Sequence, residues 1–272
     1  MTHVRTVTGG VGWSAVAQAY RDTFAPLCAG TTSAVLLAAG LRGEDARGLR
    51  VLDAGTGTGG LAAAMMATGA EVTGVDPDQE MLAVAAETAP EARLGRAALP
   101  HLPYAGESFD VAVANFVVNH LGDPRAGLRE LARVVRPGGR VVVTIWPSGH
   151  NTQSRLWAGV LEASGATAPP STRLPHDKDF PRTVDGLAGL LRGAGLARVA
   201  SGTLSWTHRT ERDALWRGAA AGIGGIGTTL LAQAPAVRAR MKLEHDRLVR
   251  PLLEGEELVL PTAAILGVGT RA

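Results

Sequence analysis

Short apolar runs alternate with amphipathic patterns across the first half of the chain. Apolar runs bounded by turn residues are typical of buried strands, and apolar residues three or four positions apart are typical of helices. The runs predict five strands, over residues 50–54, 71–75, 92–97, 109–114 and 140–146. The helices predicted between them cover residues 61–67, 77–87 and 128–135. This alternation predicts an α/β fold with a mostly parallel sheet covered by helices on both faces.

The two flanks of this segment have different patterns. Residues 11–40 are predicted to be helical, because Trp13, Val16 and Tyr20 share one helix face, and Pro26 is expected to end the first helix. After Trp146 the regularity is lost, and residues 147–184 are rich in Ser, Thr, Pro and Gly. Strand patterns return near residues 199–206 and 258–269, with helical patterns between them around a glycine-rich bend at 222–227.

These patterns divide the chain into three parts. We expect residues 1–45 to form an N-terminal helical cap and residues 46–146 to form the core that would bind any cofactor. Residues 147–272 supply the last two strands of a doubly wound, seven-stranded, Rossmann-like sheet. They also carry two insertions, 147–184 and 207–256, which we expect to form a helical lid over the carboxyl edge of the sheet.

Composition excludes several classes of function. The formal net charge is +2, and no block of Lys or Arg resembles a nucleic-acid-binding arm, so no nucleic-acid partner is expected. A single cysteine, Cys28, excludes an internal disulfide. No apolar run approaches the roughly 20 residues that span a bilayer, so we expect a cytoplasmic chain without membrane insertion. No two histidines have the i, i+4 spacing of a helical metal site, and no metal is predicted.

A glycine loop follows the first predicted strand. Gly55, Gly57 and Gly60 match the pattern G-x-G-x-x-G, which lets the backbone approach a ligand closely. Asp76 ends the next strand, where a carboxylate can hold the hydroxyls of a ribose. A nicotinamide-dependent enzyme would share these features. Asp53 argues against it, because a carboxylate two residues before the loop opposes a pyrophosphate and suits a cationic amino-acid group.

Four motifs, including the glycine loop, are together typical of one protein family. They are the loop motif 51–60, residues 75–82 around Asp76, residues 102–110 and the turn motif 131–140. With these motifs, the chain resembles class I S-adenosylmethionine-dependent methyltransferases, in particular the small-molecule group that includes the ubiquinone/menaquinone biosynthesis type. The resemblance is dense over residues 50–146 and looser outside them.

The resemblance implies a set of contacts to S-adenosylmethionine. Asp76 would accept hydrogen bonds from both ribose hydroxyls, and Asn115 would lie near the sulfonium end. Ala98 departs from the family, which often has an Asp there. The cofactor contacts implied are Tyr20, Asp53, Gly55, Thr56, Gly57, Asp76, Pro77, Met81, Ala98, Leu99 and Asn115.

The acceptor of the methyl group is less well defined by the sequence. His120 follows the fourth strand at its carboxyl end and is our candidate for a general base, although a local packing role is equally compatible with its position. Tryptophans in the C-terminal part favour an apolar or aromatic acceptor. The residues predicted to contact the acceptor are Trp13, Tyr20, His120, Trp146 and Trp216.

The sequence therefore predicts a methyltransferase for a small-molecule acceptor, acting as a monomer or homodimer. The Ala-, Arg- and Gly-rich composition is that of a GC-rich bacterial source, which favours a role in secondary metabolism. Two alternatives remain open. One is a nicotinamide-dependent oxidoreductase. The other is a protein that binds S-adenosylmethionine without methylating, for example a cyclase.

Overall fold

The computed structural model describes residues 16–149, 151–170 and 174–272. The strands of the first half are β1 (Arg50–Ala54), β2 (Glu71–Asp76), β3 (Arg93–Arg96), β4 (Phe109–Asn115) and β5 (Val135–Ile145). Those of the second half are β6 (Leu196–Glu211), the short β7 (Leu253–Glu254) and β8 (Glu257–Arg271). Each predicted strand is present, and the last two are longer than their sequence patterns indicated.

Seven of these strands form one sheet in the order β3-β2-β1-β4-β5-β8-β6, and β7 adds an eighth by pairing with β8. Strands β1 to β5 are parallel to their neighbours, whereas β8 runs antiparallel between β5 and β6. The chain order reverses at β1 and β4, and a crevice for ligands opens at such a point in doubly wound sheets. The predicted fold class is confirmed.

Helices cover both faces of the sheet, because the strand side chains alternate between two cores. One core joins Val51 and Val113 to helices α3 (Thr32–Ala39) and α4 (Gly60–Met66). The other joins Leu52 and Ala112 to α6 (Pro124–Val134) and α8 (Val184–Gly193). The remaining helices of the first half are α1 (Ala17–Thr23), α2 (Ala25–Cys28) and α5 (Gln79–Thr88). Pro26 lies in the first turn of α2, and Pro77 precedes α5, whose N-cap is Asp78.

The C-terminal half carries a third core beyond the sheet. Strands β6 and β8 pair from Leu196 to Glu211, although β5 pairs with β8 only at residues 265–270. The free part of this hairpin packs against helices α7 (Thr152–Ser164), α9 (Ala214–Ala220) and α11 (Pro235–Val249). The predicted bend at residues 222–227 is shorter than expected, because Gly224 already begins helix α10 (Gly224–Leu231). None of the helices in the described ranges is long and apolar enough to cross a membrane.

Candidate active site

A cavity of about 230 Å³ opens at the carboxyl ends of β1, β2, β4 and β5. Its wall unites residues that are far apart in the chain, since the parallel strands all end at this edge. The predicted site residues that line it are Tyr20, Gly55, Gly57, Asp76, Pro77, Met81, Ala98, Leu99, Asn115, His120 and Trp146.

The glycine loop gives this cavity an open floor. Gly55 and Gly57 have φ values of 79° and 54°, which side chains other than that of glycine seldom adopt. The Gly55 N–H donates to Val75 O at 2.8 Å, which ties the loop to the end of β2. No heavy atom lies within 4 Å of where a Gly57 Cβ would stand, so a ligand can approach the backbone at this point.

Asp76 is fixed at the side of the cavity by backbone donors. One carboxylate oxygen accepts from Gly57 N–H and the other from Asp78 N–H, each at 3.0 Å. Burial raises the pKa of Asp76 to about 6, against the lowering effect of those two hydrogen bonds. The carboxylate is thus positioned but poorly solvated, and further donors from a ligand would stabilise its charged form.

Asp53 and Thr56 do not line the cavity, contrary to the direct contacts that the sequence implied. Side chains alternate along β1, so Asp53 points to the same face as Val51 and is 1% exposed beneath the loop. Its Oδ2 accepts from the Thr56 hydroxyl at 2.8 Å. Burial, with a contribution from Asp76, raises the pKa of Asp53 to about 7. The pair supports the loop from below.

Aromatic side chains form the opposite wall. Phe116 stacks on Trp146 with ring centroids 4.0 Å apart, and Trp206 lies behind Trp146 at 6.2 Å. Phe116 has a φ of 59°, a strained conformation for a bulky residue that often marks a functional site. Its N–H is held by the Thr144 hydroxyl at 2.9 Å.

Three further ionisable side chains, those of Tyr20, Cys28 and His120, line the cavity. The Tyr20 hydroxyl lies 3.6 Å from Cys28 Sγ, and burial raises the pKa of both, that of Cys28 to about 11. Both groups therefore stay protonated at neutral pH. Burial lowers the pKa of His120, which keeps its imidazole neutral and able to accept a proton.

One predicted acceptor contact, Trp216, does not line this cavity. Trp216 packs in the C-terminal core against Trp157 and His245, with ring centroids 6.3 Å and 5.4 Å away. Its place on α9 orients it toward the helices of the lid, away from the sheet edge. Trp13 lies outside the described residues.

Sequence reasoning missed eight residues of the wall. Most of them adjoin a predicted contact in the chain, so the position of a strand end could have identified them. Cys28 had no such signal, because it reaches the cavity from the N-terminal helices. The missed residues are Cys28, Ala54, Val75, Ala97, Phe116, Val117, Leu121 and Gly122.

Comparisons with known proteins agree with this architecture. A family model described as a methyltransferase domain matches residues 52–143. A demethylmenaquinone methyltransferase of Chlorobaculum parvum is 41% identical over 97 residues, which are 35% of this chain and 40% of that protein. The chain thus aligns with less than half the length of the curated relatives that it matches.

Solved structures extend the likeness to most of the fold. A putative methyltransferase from an antibiotic biosynthesis pathway of Anabaena variabilis has a TM-score of 0.60 at 18% identity, over 86% of this chain and 95% of that one. The [4+2]-cyclase SpnF has a TM-score of 0.50 at 23% identity, over 89% of this chain and 80% of that one. Residues 52–143 thus carry a methyltransferase domain, in agreement with the resemblance of their motifs to class I S-adenosylmethionine-dependent methyltransferases.

Proposed function

We propose that this protein transfers a methyl group from S-adenosylmethionine to a small, uncharged, aromatic acceptor. The observation that carries the proposal is the joining of Asp76, the open glycine loop and the Phe116–Trp146 stack in one cavity. The curated relatives include a demethylmenaquinone methyltransferase and a ubiquinone/menaquinone biosynthesis C-methyltransferase, which supports an acceptor that contains a ring. We assign the protein to small-molecule metabolism, with secondary metabolism as the expected setting.

The cavity residues fit the cofactor. Asp76 offers two carboxylate oxygens to the two ribose hydroxyls, a charge-assisted arrangement. Pro77 and Met81 supply apolar surface beside it for the adenine, and Ala98 and Leu99 border the same side. Asp53, beneath the loop, places negative charge near the cationic end when it ionises. S-adenosylmethionine supplies an electrophilic methyl group on its sulfonium.

The acceptor end favours an uncharged ring. Phe116 and Trp146 offer a stacked aromatic surface, and Val117 and Leu121 add apolar contacts. Among the described residues of the wall, Asp76 is the only ionised group at neutral pH, and none is Lys or Arg. An acceptor with a phosphate or carboxylate would find no cationic side chain there.

His120 is our candidate for the general base. Its imidazole is neutral and lines the acceptor end, whereas Tyr20 and Cys28 hold their protons. It would take the proton that a hydroxyl acceptor loses as the methyl group arrives. The enclosed site aligns the two reactants, which can account for roughly 7–11 kcal/mol of barrier lowering.

Replacement of His120 tests this role. We expect His120→Ala to bind S-adenosylhomocysteine normally and to lower the methyl-transfer rate by about 10²- to 10⁴-fold. The rate is measured by mass spectrometry, as transfer of a deuterated methyl group to a panel of phenols and quinols. Normal binding with a full rate would remove His120 from the mechanism.

Two other functions are tested by the same assays. A nicotinamide-dependent oxidoreductase would bind NAD and bind S-adenosylhomocysteine poorly. A protein that uses this fold for cyclisation would bind S-adenosylhomocysteine and leave every acceptor without the label. The likeness to SpnF favours this second alternative over the first, because that cyclase has the same fold.

A further inference from the structure

A hydrogen-bonded group of three side chains lies at the rim of the cavity. Asn115 ends β4, Thr144 is its neighbour on β5, and Thr31 comes from the turn that precedes α3. Asn115 Oδ1 accepts from the Thr144 hydroxyl at 2.5 Å and lies 3.0 Å from the Thr31 hydroxyl, whose single proton also has Cys28 O as an acceptor at 2.9 Å. Both threonines are fully buried.

Thr144 is the unusual member of this group. It is a hydroxyl residue within the apolar run Val141–Ile145, in a strand that is otherwise buried hydrocarbon at these positions. Burying a hydroxyl is unfavourable unless it forms hydrogen bonds. The Thr144 oxygen accepts from Phe116 N–H at 2.9 Å, and its one proton is available to Asn115 Oδ1.

This arrangement fixes which side of the Asn115 amide faces the cavity. Because the Thr144 hydroxyl proton is directed to Oδ1, the NH₂ group points away from Thr144. Asn115 also lines the cavity, so its two N–H groups are presented to a ligand there. A primary amide held in this way binds an oxygen acceptor and cannot bind an ammonium group.

The position of Asn115 identifies the ligand group. Asp76, which we assign to the ribose, ends β2, and β1 lies between β2 and β4. Two strand spacings put Asn115 roughly 10 Å from Asp76, across the glycine loop from the ribose. The amino-acid portion of S-adenosylmethionine extends from the ribose in that direction. Of its two charged groups, only the carboxylate accepts hydrogen bonds.

We propose that Thr144 is a positioning residue that turns the Asn115 amide so that its NH₂ group binds the carboxylate of the cofactor's amino-acid portion. The proposal rests on the proposed function, because it takes S-adenosylmethionine as the ligand. It also explains how the described wall can hold a carboxylate without a Lys or Arg side chain.

A comparison of two ligands isolates the contribution of the amino-acid portion, which carries the carboxylate, to binding. S-adenosylhomocysteine carries the amino-acid portion, whereas 5′-deoxy-5′-methylthioadenosine keeps the adenosine and sulfur without it. We expect Thr144→Val to lower the affinity for S-adenosylhomocysteine, measured by calorimetry, about fivefold or more. The affinity for methylthioadenosine should fall by less than about twofold. Thr144→Ser, which keeps the hydroxyl, restores the wild-type affinity.

A matched control is available in α10. Thr229 is also buried, and its hydroxyl donates to Gly225 O at 2.8 Å, so Thr229→Val removes a buried hydroxyl outside the cavity wall. It should bind both ligands as the wild type does. Equal weakening of both ligands by Thr144→Val, or unchanged affinity for S-adenosylhomocysteine, would overturn the proposal.

Asn115→Asp provides a second test if Thr144→Val does not fold. It preserves the size of the side chain and an oxygen for the threonines, but directs an oxygen to the carboxylate. Loss of S-adenosylhomocysteine binding by Asn115→Asp, with methylthioadenosine binding retained, supports the proposal. An affinity for S-adenosylhomocysteine equal to that of the wild type overturns it. If the wild-type protein itself fails to bind S-adenosylhomocysteine, the proposed function fails instead.

Discussion

At the scale of single residues, burial controls the chemistry of the site. Asp76 is 7% exposed, and its charge is stabilised by two backbone N–H groups without a cationic partner in the wall. Its pKa of about 6 lies above the ordinary value of an aspartate, so protonation competes with ligand binding in mildly acidic solution. The ionised form is the better acceptor for ribose hydroxyls.

Affinity for S-adenosylhomocysteine should therefore depend on pH. We expect it to rise as the pH increases from 5 through about 6 and to level off above 7, because Asp76 must lose its proton to accept both hydroxyls. A raised folded-state pKa also means that this group stabilises the free protein at low pH and loses that contribution as the pH rises. Calorimetric titration across this range measures the effect.

The variant Asp76→Asn is the control for this dependence. It should bind S-adenosylhomocysteine at least about tenfold more weakly at pH 7.5, since hydrogen bonds to a charged group are worth about 1.5–3 kcal/mol each. Its affinity should also change less between pH 5 and 7. A variant with wild-type affinity and an unchanged pH profile would exclude Asp76 from the ribose site.

Sequence motifs predicted which strand ends meet, but not the direction of each side chain. Gly55, Asp76 and Asn115 lie on the cavity because loop and strand-end positions follow from the βαβ pattern. Asp53 was placed on the wall from its motif, and the alternation along β1 turns it beneath the loop instead. The Thr144 network joins three distant segments, so no local pattern could reveal it.

At the scale of elements, the tryptophans of the second half of the chain divide between the cavity and the C-terminal core. Trp146 directly follows β5 and stacks on Phe116 at the cavity, whereas Trp216 on α9 packs against Trp157 and His245. The sequence predicts both tryptophans as acceptor contacts and does not distinguish them. Only the pairing of β6 with β8 and the packing of α7, α9 and α11 distinguish them.

Replacement of each tryptophan should therefore have a different result. We expect Trp216→Ala to lower the free energy of unfolding by about 2–4 kcal/mol, as for a large side chain removed from a core. The folded variant should keep the wild-type KM for the acceptor found in the labelling assay. Trp146→Ala should raise that KM at least about tenfold through lost stacking.

Thermal unfolding and steady-state kinetics on the two variants measure these effects. The prediction concerns the difference in KM between the two variants, because a general loss of stability would affect both of them. An increase in the KM of Trp216→Ala as large as that of Trp146→Ala would contradict this prediction. It would indicate that Trp216 contacts the acceptor, as the sequence predicts.

Element boundaries show the same limit of sequence patterns. Strand β6 extends from Leu196 to Glu211, well beyond its predicted core, because its partner β8 supplies a ladder along that whole length. The glycine-rich stretch at 222–227 has low helix propensity, but most of it enters α10. Close packing of Gly227 on the Gly222 backbone, which leaves no space for a Cβ, accounts for the glycine there.

At the scale of the whole molecule, the cavity is formed by the segment that matches the family model and by the segments that flank it. The half that alternates strand and helix carries the glycine loop and Asp76, and it is the part that matches the methyltransferase family model. The N-terminal helices and the end of β5 add Tyr20, Cys28 and Trp146 to the same cavity. The cavity therefore combines residues of the segment that matches the family model with residues that lie outside it.

Calorimetric titration of the purified protein with S-adenosylhomocysteine, with NAD as the comparison, tests this account most directly. We predict that one molecule of S-adenosylhomocysteine binds per chain, that Asp76→Asn weakens this binding, and that NAD gives no heat of binding. Binding of NAD without binding of S-adenosylhomocysteine would contradict the account and favour the oxidoreductase alternative.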